Sequence, residues 1–443
     1  MGEEVNFGGA SPPNNRGHRL ATVAGGTSRR RRRSKRQMAT QMLLRHATVI
    51  SMTGSDPSTA DVLVEDGTIT RVAAEIRAPG DARVVELEGK YLLPGLIDAH
   101  CHITISGGLI ADELSLDPRT RILRAAHNAA MTLRAGITTI RDTCGLDDSD
   151  ILLRDAIHAG ILTGPRIIAC GRMITMTGGH GWFYGQEVDG ADAVRRAVRE
   201  RVKARADWVK FMASGGFGEE GEQPAASQLD LDELTAGVRE ARKAGRRTCA
   251  HAHGAASIKH ALQAGIDTIE HASFLDQEAI DLLRNRGAFI VPTFSIYHKM
   301  REAGPGLHLL PYLVELVNRS WDAKVASFIE AYRAGIPIAA GSDNGSPVAP
   351  HPDIATELEL FVGFGLSPYE ALRTATTNAA RLLDLGDTIG TIEPGKRADM
   401  VALSQDPLRD IAAVRMVSTV VQNGRCYEPG MTGAAQDASS VAV

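Results

Sequence analysis

The sequence predicts an α/β protein, a (β/α)8 TIM barrel with a small β-sandwich domain built from both terminal segments. Strand-like and helix-like runs alternate through the middle of the chain, which is typical of parallel βα units. β-type runs without a long helix occupy both ends. A barrel uses about 250 residues. The 443 residues of this chain therefore leave room for a companion domain.

Four helix-like runs close on Ala-Gly and are followed by a short apolar stretch that ends in an ionisable residue. Glycine after a helix supplies the left-handed residue that stops it, so the stretch that follows begins a strand. Each ionisable side chain then lies where a strand stops, at one rim of the barrel. The repeats are 134–142 (RAGITTIRD), 243–251 (KAGRRTCAH), 263–271 (QAGIDTIEH) and 333–343 (RAGIPIAAGSD).

Eight candidate strands fill the predicted barrel domain, residues 94–393 together with the approach to it. They are 92–99, 138–141, 166–169, 208–212, 248–250, 268–270, 289–291 and 338–341. Amphipathic helices are predicted between them, among others at 119–134, 191–205, 230–243 and 311–334.

Short β-type runs precede and follow the barrel, and turn signals such as Asp66-Gly67 and Asn423-Gly424 separate them. Neither terminal piece has enough strands to bury both faces of a sheet. We therefore predict one composite β-sandwich from residues 39–93 and 394–430. The predicted strands are 43–50, 60–64, 68–72, 83–87, 395–403 and 417–422.

Composition excludes several functional classes. The chain is 43% hydrophobic but contains no apolar run long enough to span a bilayer, so we expect no membrane association. A formal charge of -4 gives no overall attraction for nucleic acid. Five scattered cysteines without a CxxC pair are typical of reduced, buried thiols, which predicts a cytoplasmic location.

The termini differ from the rest of the chain. Residues 1–38 are rich in Gly, Asn, Arg and Ser and contain the basic run 29–36, which predicts a disordered basic extension. Two interpretations stay open for it, an extension without function and an arm that binds nucleic acid. Residues 431–443 are predicted to be a flexible tail.

Ionisable residues collect at the predicted carboxyl ends of the strands. His100 and His102 are two apart, so on a strand both imidazoles point to the same side while Cys101 points away. In a barrel, strand ends that are distant in sequence become neighbours. Because buried charges are paired or bind metal, such a group on one rim predicts a metal site. The remaining members are Lys210, His251, His271 and Asp343.

These residues resemble the amidohydrolase superfamily pattern: HxH after strand one, Lys after four, His after five and six, Asp after eight. The chain is most similar to the Xaa-Pro dipeptidase-like and imidazolonepropionase-like branch, which includes dipeptidases, carboxypeptidases and ochratoxin amidohydrolases. The resemblance runs from about residue 42 to 424. The matching phrases are 94–102 (PGLIDAHCH), 177–181 (TGGHG), 208–216 (WVKFMASGG), 250–254 (AHAHG), 341–343 (GSD) and 395–399 (GKRAD).

The resemblance implies a binuclear zinc centre, with other divalent metals as alternatives. It implies that Lys210 is carbamylated by CO2 and bridges two Zn2+ ions. One ion would be held by His100, His102 and Asp343, and the other by His251 and His271. A salt-bridged or solvent-facing lysine is the structural alternative for Lys210, and its apolar neighbours argue against exposure.

The resemblance also implies the catalytic residues Asp343, His253 and His180. Asp343 would take a proton from water and return it to the leaving nitrogen. His180 and His253 would stabilise the oxyanion, the alternative being that His180 orders its glycine-rich loop and His253 supports a ligand. We expect Asp142 to form a structural ion pair. Loop residues after strands seven and eight are expected to contact substrate: Tyr297, His298 and His351.

The predicted function is hydrolysis of an amide bond in dipeptides or N-acyl amino acids, as a dipeptidase or carboxypeptidase, with ochratoxin-like aryl amides within that set. A carbamate, urea or cyclic-amide hydrolase on the same metals is the alternative enzyme. A nucleic-acid-binding scaffold that uses the basic arm is the alternative outside enzymes. The expected partner is a small-molecule amide substrate, and we expect a homo-oligomer.

Overall fold

A computed structural model describes residues 41–107, 110–218, 221–304, 309–346 and 348–427. These belong to one compact unit, Ala39–Val443. The predicted extension 1–38 and tail 431–443 lie outside the described residues. No described helix is long and apolar enough to cross a lipid bilayer.

Short strands and mostly longer helices alternate in the described chain. The strands are β1 Gln41–Val49, β2 Ser58–Glu65, β3 Thr68–Ala73, β4 Arg83–Glu86, β5 Tyr91–Pro94, β6 Leu96–Cys101, β7 Ile137–Asp142, β8 Arg166–Ala169, β9 Ile174–Thr175, β10 Gln186–Glu187, β11 Trp208–Met212, β12 Arg247–Ala252, β13 Thr268–His271, β14 Phe289–Val291, β15 Met400–Leu403, β16 Val417–Gln422 and β17 Arg425–Tyr427. The helices are α1 Ile110–Ser115, α2 Pro118–Arg134, α3 Ser149–His158, α4 Ala191–Ala204, α5 Leu231–Lys243, α6 Ala255–Ala264, α7 Gln277–Arg286, α8 Phe294–Ala303, α9 Pro311–Arg333, α10 Ala355–Gly363, α11 Pro368–Thr374 and α12 Thr377–Leu382.

Strands from both ends of the chain share one sheet, as the sequence predicts. Its order is β17-β16-β15-β5-β1-β2-β3, and β4 also pairs with β1. The pairing of β15 with β5 is antiparallel and joins the two terminal segments. Side chains of this sheet, among them Leu44, Val62 and Met400, form a hydrophobic cluster of their own.

The middle of the chain forms parallel strands separated by helices. β6, β7 and β8 make a three-stranded sheet, and β9 to β14 make a six-stranded sheet in the order β10-β9-β11-β12-β13-β14. Their pairings are all parallel. Parallel order places the carboxyl ends of neighbouring strands at the same edge.

Backbone hydrogen bonds link the ends of these two sheets. The amide of Asp207 donates to the carbonyl of Ala169 at 2.7 Å, next to β8 and β11. On the other side Ile338 forms a parallel bridge with Ile290. The amide of Ala99 in β6 donates to the carbonyl of Ala340 at 2.9 Å. The predicted strand 338–341 is therefore a bridged segment between β14 and β6.

The predicted first barrel strand, 92–99, is two strands rather than one. Gly95 separates β5, which belongs to the terminal sheet, from β6, which belongs to the parallel strands. A Cβ atom at Gly95 would collide with the side chain of Thr138 in β7. The chain thus passes from one sheet to the other where only a glycine fits.

The Ala-Gly repeats end helices as predicted. Gly136, Gly245, Gly265 and Gly335 have φ values of 84°, 66°, 102° and 73°. Each is in the left-handed region and follows α2, α5, α6 or α9. The helices predicted at 119–134, 191–205, 230–243 and 311–334 agree with α2, α4, α5 and α9 to within one residue.

Candidate functional site

The predicted metal-binding residues line a single cavity at the carboxyl ends of the parallel strands. Its volume is about 390 Å³, and most other residues around it are apolar. The predicted ligands that line it are His100, His102, Lys210, His251, His271 and Asp343. His180 and Tyr297 line it as well, whereas His253 is fully buried behind the wall.

One group, which we call the first cluster, consists of His100, His102 and Asp343. Its possible ligand atoms all lie within 4.8 Å of one another. His102 Nε2 is 3.0 Å and His100 Nε2 is 3.6 Å from Asp343 Oδ1. Both imidazoles thus face the same side, as their spacing predicts. The backbone joins this cluster too, because the amide of Asp343 donates to the carbonyl of His100 at 2.8 Å.

A buried carboxylate orients His100. The Nδ1 of His100 donates to Glu270 Oε2 at 2.7 Å, and Arg141 donates to Glu270 Oε1 at 2.7 Å. Both His100 Nδ1 and the Glu270 carboxylate are therefore engaged on the side away from the cavity, which leaves His100 Nε2 for a ligand. Burial acts to raise the pKa of Glu270, but Arg141 and His100 outweigh it and hold the pKa at about 2.

The second cluster consists of His251, His253 and His271, whose possible ligand atoms also lie within 4.8 Å of one another. The rings of His251 and His271 are 4.4 Å apart, and those of His253 and His271 are stacked at 4.8 Å. The ring of His100 is 5.1 Å from that of His271, so the two clusters adjoin.

The partners of the second cluster are uncharged. His251 Nε2 donates to the carbonyl of Gly215 at 3.1 Å. His253 Nδ1 is 2.7 Å from Ser273 Oγ, and His271 Nδ1 is 2.7 Å from Thr293 Oγ1. Hydroxyls and a carbonyl thus orient the rings of the second cluster, whereas the carboxylate of Glu270 orients His100.

Left-handed backbone marks three strand ends at the site. His271, Thr293 and Asp343 have φ values of 70°, 52° and 57°. For residues other than glycine such a conformation costs of order 1 kcal/mol or more and persists only where the surroundings impose it. At this rim it accompanies His271 and Asp343, which line the cavity, and Thr293, whose hydroxyl contacts His271.

Burial keeps four imidazoles of the site neutral, and the pKa values of these histidines show it. It lowers the pKa of His100 to about 4, helped by the charge of Lys210. It also lowers the pKa values of His251, His253 and His271 well below the ordinary value. Neutral imidazole has a free lone pair, which is the form that binds a metal ion.

Asp343 carries the opposite charge. Burial acts to raise its pKa, but His100 and His102 outweigh burial and hold the pKa well below its usual range. The carboxylate is therefore ionised at neutral pH and is available both as a ligand and as a proton acceptor.

Lys210 is buried between the clusters, with 2% of its surface exposed. Among the described residues no carboxylate forms an ion pair with its Nζ atom. The charge of Lys210 lowers the pKa values of Asp343 and Glu270, so both carboxylates are near it without a direct ion pair. Lys210 is therefore neither solvent-facing nor directly salt-bridged within the described part of the chain.

His180 reaches the cavity from the glycine-rich loop. Its Nδ1 is 2.6 Å from Glu222 Oε1, and its ring stacks on that of His251 at 4.3 Å. Burial acts to raise the pKa of Glu222, but His180 outweighs it and the pKa is about 2. Glu222 was not among the residues predicted from the sequence.

The three residues expected to contact substrate differ in their outcome. Tyr297 and His298 lie in α8 rather than in a loop, and of the two only Tyr297 lines the cavity. His298 pairs with Glu302 at 3.1 Å. His351 donates to the carbonyls of His102 and Ile105 at 3.0 and 3.2 Å, so it supports the loop instead of lining the cavity.

Asp142 also differs from its prediction. Its carboxylate accepts from the backbone amides of Ile103 and Cys144 at 2.7 and 3.0 Å. Within the described part of the chain it forms no ion pair, so the predicted ion pair is wrong. Two backbone donors at the end of β7 replace the expected cation.

Comparison with known proteins decides the family. A profile of the Amidohydrolase family matches residues 91–426, which is most of the chain. The chain belongs to the amidohydrolase family. It is 30% identical over 391 residues to ochratoxinase of Aspergillus niger, which covers 78% of each chain. It is 27% identical over 398 residues to imidazolonepropionase of Thermoplasma volcanium, covering 82% of this chain and 89% of that one.

A solved structure of a Xaa-Pro dipeptidase with bound methionine in its active site is similar to this amidohydrolase throughout. The TM-score is 0.81 and the identity 30%, over 88% of this chain and all of the other. The predicted branch of the family is thereby confirmed. The protein is a hydrolase that acts on amide bonds.

The residues of this amidohydrolase fit the metal ions that its family implies. Both clusters offer imidazole nitrogens, and the first cluster adds the carboxylate of Asp343; zinc prefers such donors. His102 Nδ1 is buried and has no hydrogen-bond partner among the described atoms. A buried ring nitrogen without a partner costs free energy unless it binds a ligand.

Several residues that support this amidohydrolase site were not predicted from the sequence. Glu270 directly precedes His271, and strict alternation along a strand would point the two side chains to opposite faces. The left-handed turn at His271 breaks that alternation. The stretch 266–271 (IDTIEH) carries no local signal that singles out Glu270, because it also contains Asp267 and Thr268.

Proposed function

We propose that this amidohydrolase is a binuclear zinc enzyme of dipeptidase or carboxypeptidase type. Its substrate would be a dipeptide or an N-acyl amino acid, including aryl amides, cleaved at the amide bond to the carboxy-terminal residue. The observation that carries the proposal is that the first cluster, two members of the second cluster (His251 and His271) and the buried Lys210 line one cavity.

We further propose that residues 94–393 close into a (β/α)8 barrel and that 39–93 with 394–430 form a β-sandwich domain. The links at Asp207–Ala169, Ile290–Ile338 and Ala99–Ala340 support closure, because they join the two parallel sheets at both edges. Eight strand positions then surround the site.

In this proposal His100, His102 and Asp343 would hold one zinc ion, and His251 and His271 would hold the other. Lys210, carbamylated by CO2, would be a ligand common to both sites. Its lack of a described ion-pair partner supports this, since carbamylation replaces a buried ammonium by a carboxylate. Bound zinc supplies a Lewis acid that lowers the pKa of water to about 7 and polarises a carbonyl group.

Asp343 moves the proton. Its carboxylate is ionised and its Oδ1 lies against the cavity, 3.2 Å from Ser346 Oγ as well as near His102. We propose that Asp343 accepts a proton from the attacking water and then delivers it to the leaving nitrogen. Without that proton the nitrogen would have to leave as an unstable amide anion.

We propose that Tyr297, supported by His253, stabilises the oxyanion. Tyr297 Oη is 3.5 Å from His253 Nε2 and from His271 Nδ1. Burial, together with the charge of Asp343, raises the pKa of Tyr297 well above its usual value, so the hydroxyl keeps its proton and can donate it. We propose that Tyr297 donates to the substrate oxygen and that His253, which lies behind it, supports it.

His180 and the cavity wall suit an apolar substrate that ends in a carboxylate. Glu222 holds His180 at the cavity wall through Nδ1. The imidazole of His180 would then donate to the carboxylate of the substrate. The remaining wall would accept an apolar side chain or aryl group, and about 390 Å³ is enough for a small dipeptide analogue. The main apolar lining residues are Met173, Met212, Phe217, Met300 and Leu313.

A substrate panel tests the proposal. Purified protein loaded with zinc in bicarbonate buffer would be assayed on N-acyl amino acids, dipeptides, carbamates, ureas and lactams. We expect hydrolysis of the first two classes, preference for apolar side chains, and loss of activity on chelation. Activity on a carbamate, urea or lactam alone would replace the proposal by the alternative enzyme.

Two further arms of the same experiment address the remaining predictions. A variant without residues 1–38 should retain full activity, whereas salt-sensitive binding of nucleic acid lost with that segment would favour the scaffold interpretation. Sedimentation of the same sample tests the proposed homo-oligomer.

A further inference from the structure

Lys324 is a buried lysine on α9, and 3% of its surface is exposed. Its Nζ donates to the carbonyl oxygens of Pro292 and His271 at 2.6 and 3.0 Å, and to Ser273 Oγ at 3.3 Å. All three acceptors lie at the carboxyl ends of β13 and β14, beside the second cluster. The side chain therefore spans from the outer helix to the site.

Two of these contacts reach directly into the second cluster. The carbonyl of His271 belongs to a residue with left-handed backbone, so a donor to that carbonyl fixes the turn that presents its imidazole. Ser273 Oγ lies 2.7 Å from His253 Nδ1 and thus connects Lys324 to His253. Lys324 acts on both rings without touching either.

The same Nζ atom lies over two aromatic rings, 4.6 Å from the centre of Tyr297 and 4.8 Å from that of Phe294. An amine in this position attracts the faces of both rings. Tyr297 is thereby held with its hydroxyl between His253 and His271.

Glu357 on α10 secures the other side of this arrangement. Its carboxylate accepts from the backbone amides of Phe294 and Ser295, at 3.0 and 2.7 Å, at the first turn of α8. Those bonds fix the start of the helix that carries Tyr297. Glu357 and Lys324 thus hold the two ends of one packed unit formed by β13, β14 and α8.

We propose that Lys324 is a positioning residue for the second cluster and Tyr297. It sets the turn at His271, the ring of His253 through Ser273, and the place of the Tyr297 hydroxyl. A lysine that only filled space would not have every described hydrogen bond directed at the site. The inference rests on the proposed function for its catalytic consequence, but its effect on metal binding does not need that function.

The test compares Lys324→Met, which keeps the volume and removes the donors, with Lys324→Gln, which keeps an N–H donor. Lys243→Met is the matched control, because Lys243 is an exposed helix lysine paired with Glu240 at 3.0 Å. Ser273→Ala removes the link between Lys324 and His253 and leaves the bonds from Lys324 to the carbonyls of Pro292 and His271 in place. Affinity for Zn²⁺ is measured by chelator competition, the ligand field by Co²⁺ absorption, and kcat and KM on the best substrate of the panel.

We expect Lys324→Met to weaken binding of one of the two ions by about 10- to 100-fold and to shift the Co²⁺ spectrum. Its kcat should fall by a similar factor with KM nearly unchanged, and Lys324→Gln should recover part of both losses. Ser273→Ala should lower kcat with metal affinity kept. Lys243→Met should behave like the wild type.

If Lys324→Met matches Lys243→Met in metal affinity, spectrum and kcat, the inference is overturned. If Lys324→Met does not fold, Lys324→Gln and Ser273→Ala decide, and wild-type values in both contradict the inference. If the wild-type protein binds metal but cleaves nothing in the panel, the proposed function is refuted. The metal affinities of the Lys324 variants then still test the inference about Lys324. A wild-type protein that binds no metal overturns both.

Discussion

The two clusters of the site are oriented by different chemistry. In the first cluster the ring of His100 is held by the carboxylate of Glu270, and Asp343 is itself a member. In the second cluster the rings of His253 and His271 are held by the hydroxyls of Ser273 and Thr293. One cluster thus contains negative charge, while the other is neutral.

The difference indicates what the neutral cluster still requires. A divalent cation held by imidazoles alone keeps its full charge in a buried place, which is unfavourable without an anion nearby. Lys210 lines the cavity beside both clusters. A carbamate on Lys210 would supply that anion, so the second cluster should depend on CO2 more than the first.

Removing the charge of the first cluster should have the largest effect. Asp343→Asn removes both a ligand and the proposed proton carrier, and we expect kcat to fall on the order of 10⁴-fold. Asp281→Asn, at an exposed aspartate paired with Arg284, is the control. Steady-state assays measure both, and an Asp343→Asn protein within tenfold of wild type would contradict the assigned role.

Removal of Lys210 should affect metal binding at the two clusters differently. We expect Lys210→Ala to lose about one of two ions and to lower kcat by at least about 100-fold, because a ligand matters at least as much as its supporting residues. Metal analysis and assays with and without bicarbonate measure this. Loss of both ions equally, or of none, would contradict the comparison.

The partners of the two clusters can be compared directly. Glu270→Gln removes a charged partner of His100, and Thr293→Val removes a neutral partner of His271. We expect metal affinity to fall about 10- to 100-fold for Glu270→Gln and less for Thr293→Val, since charge-assisted hydrogen bonds are stronger. Equal losses, measured by chelator competition, would show that charge does not distinguish the clusters.

A smaller effect concerns the stability that depends on Asp150 in α3. Burial raises the pKa of Asp150 from 3.8 to about 6, so the folded protein binds a proton that the unfolded chain releases. That stabilisation is present below about pH 4 and is lost as pH rises through about 6. Asp150→Asn should flatten this slope and raise the free energy of unfolding at pH 7 by about 1–3 kcal/mol.

Asp150→Asn is a mild change in other respects. The amide of Gly171 donates to Asp150 Oδ2 at 2.8 Å, and an asparagine oxygen can accept that bond. Asp150 Oδ1 has no hydrogen-bond partner among the described atoms, so an NH2 group there breaks none. Urea unfolding at pH 4, 5, 6 and 7 measures the slope, and an unchanged slope would refute the assignment to Asp150.

Local pattern predicted much of this site. The Ala-Gly repeats predict where helices stop, and the ionisable residues after the following strands predict the rim. His100, His102, Lys210, His251 and Asp343 accordingly line one cavity. These predictions depend on periodicity and glycine conformation, which are properties of neighbouring residues.

The missed features depend on contacts between distant segments. Lys324 looks like any lysine of an amphipathic helix, and only the packing of α9 brings it to β13 and β14. Glu270 acquires its role from Arg141, which is far away in sequence. The break at Gly95 follows from the side chain of Thr138 across the sheet. None of these is encoded in a local pattern.

The most direct test of the account is a crystal structure of the protein grown with zinc and bicarbonate. The account predicts a carboxyl group on Lys210 Nζ between two zinc ions, one at His100, His102 and Asp343 and one at His251 and His271. An unmodified Lys210 with zinc bound at only one cluster, or at neither, would contradict it.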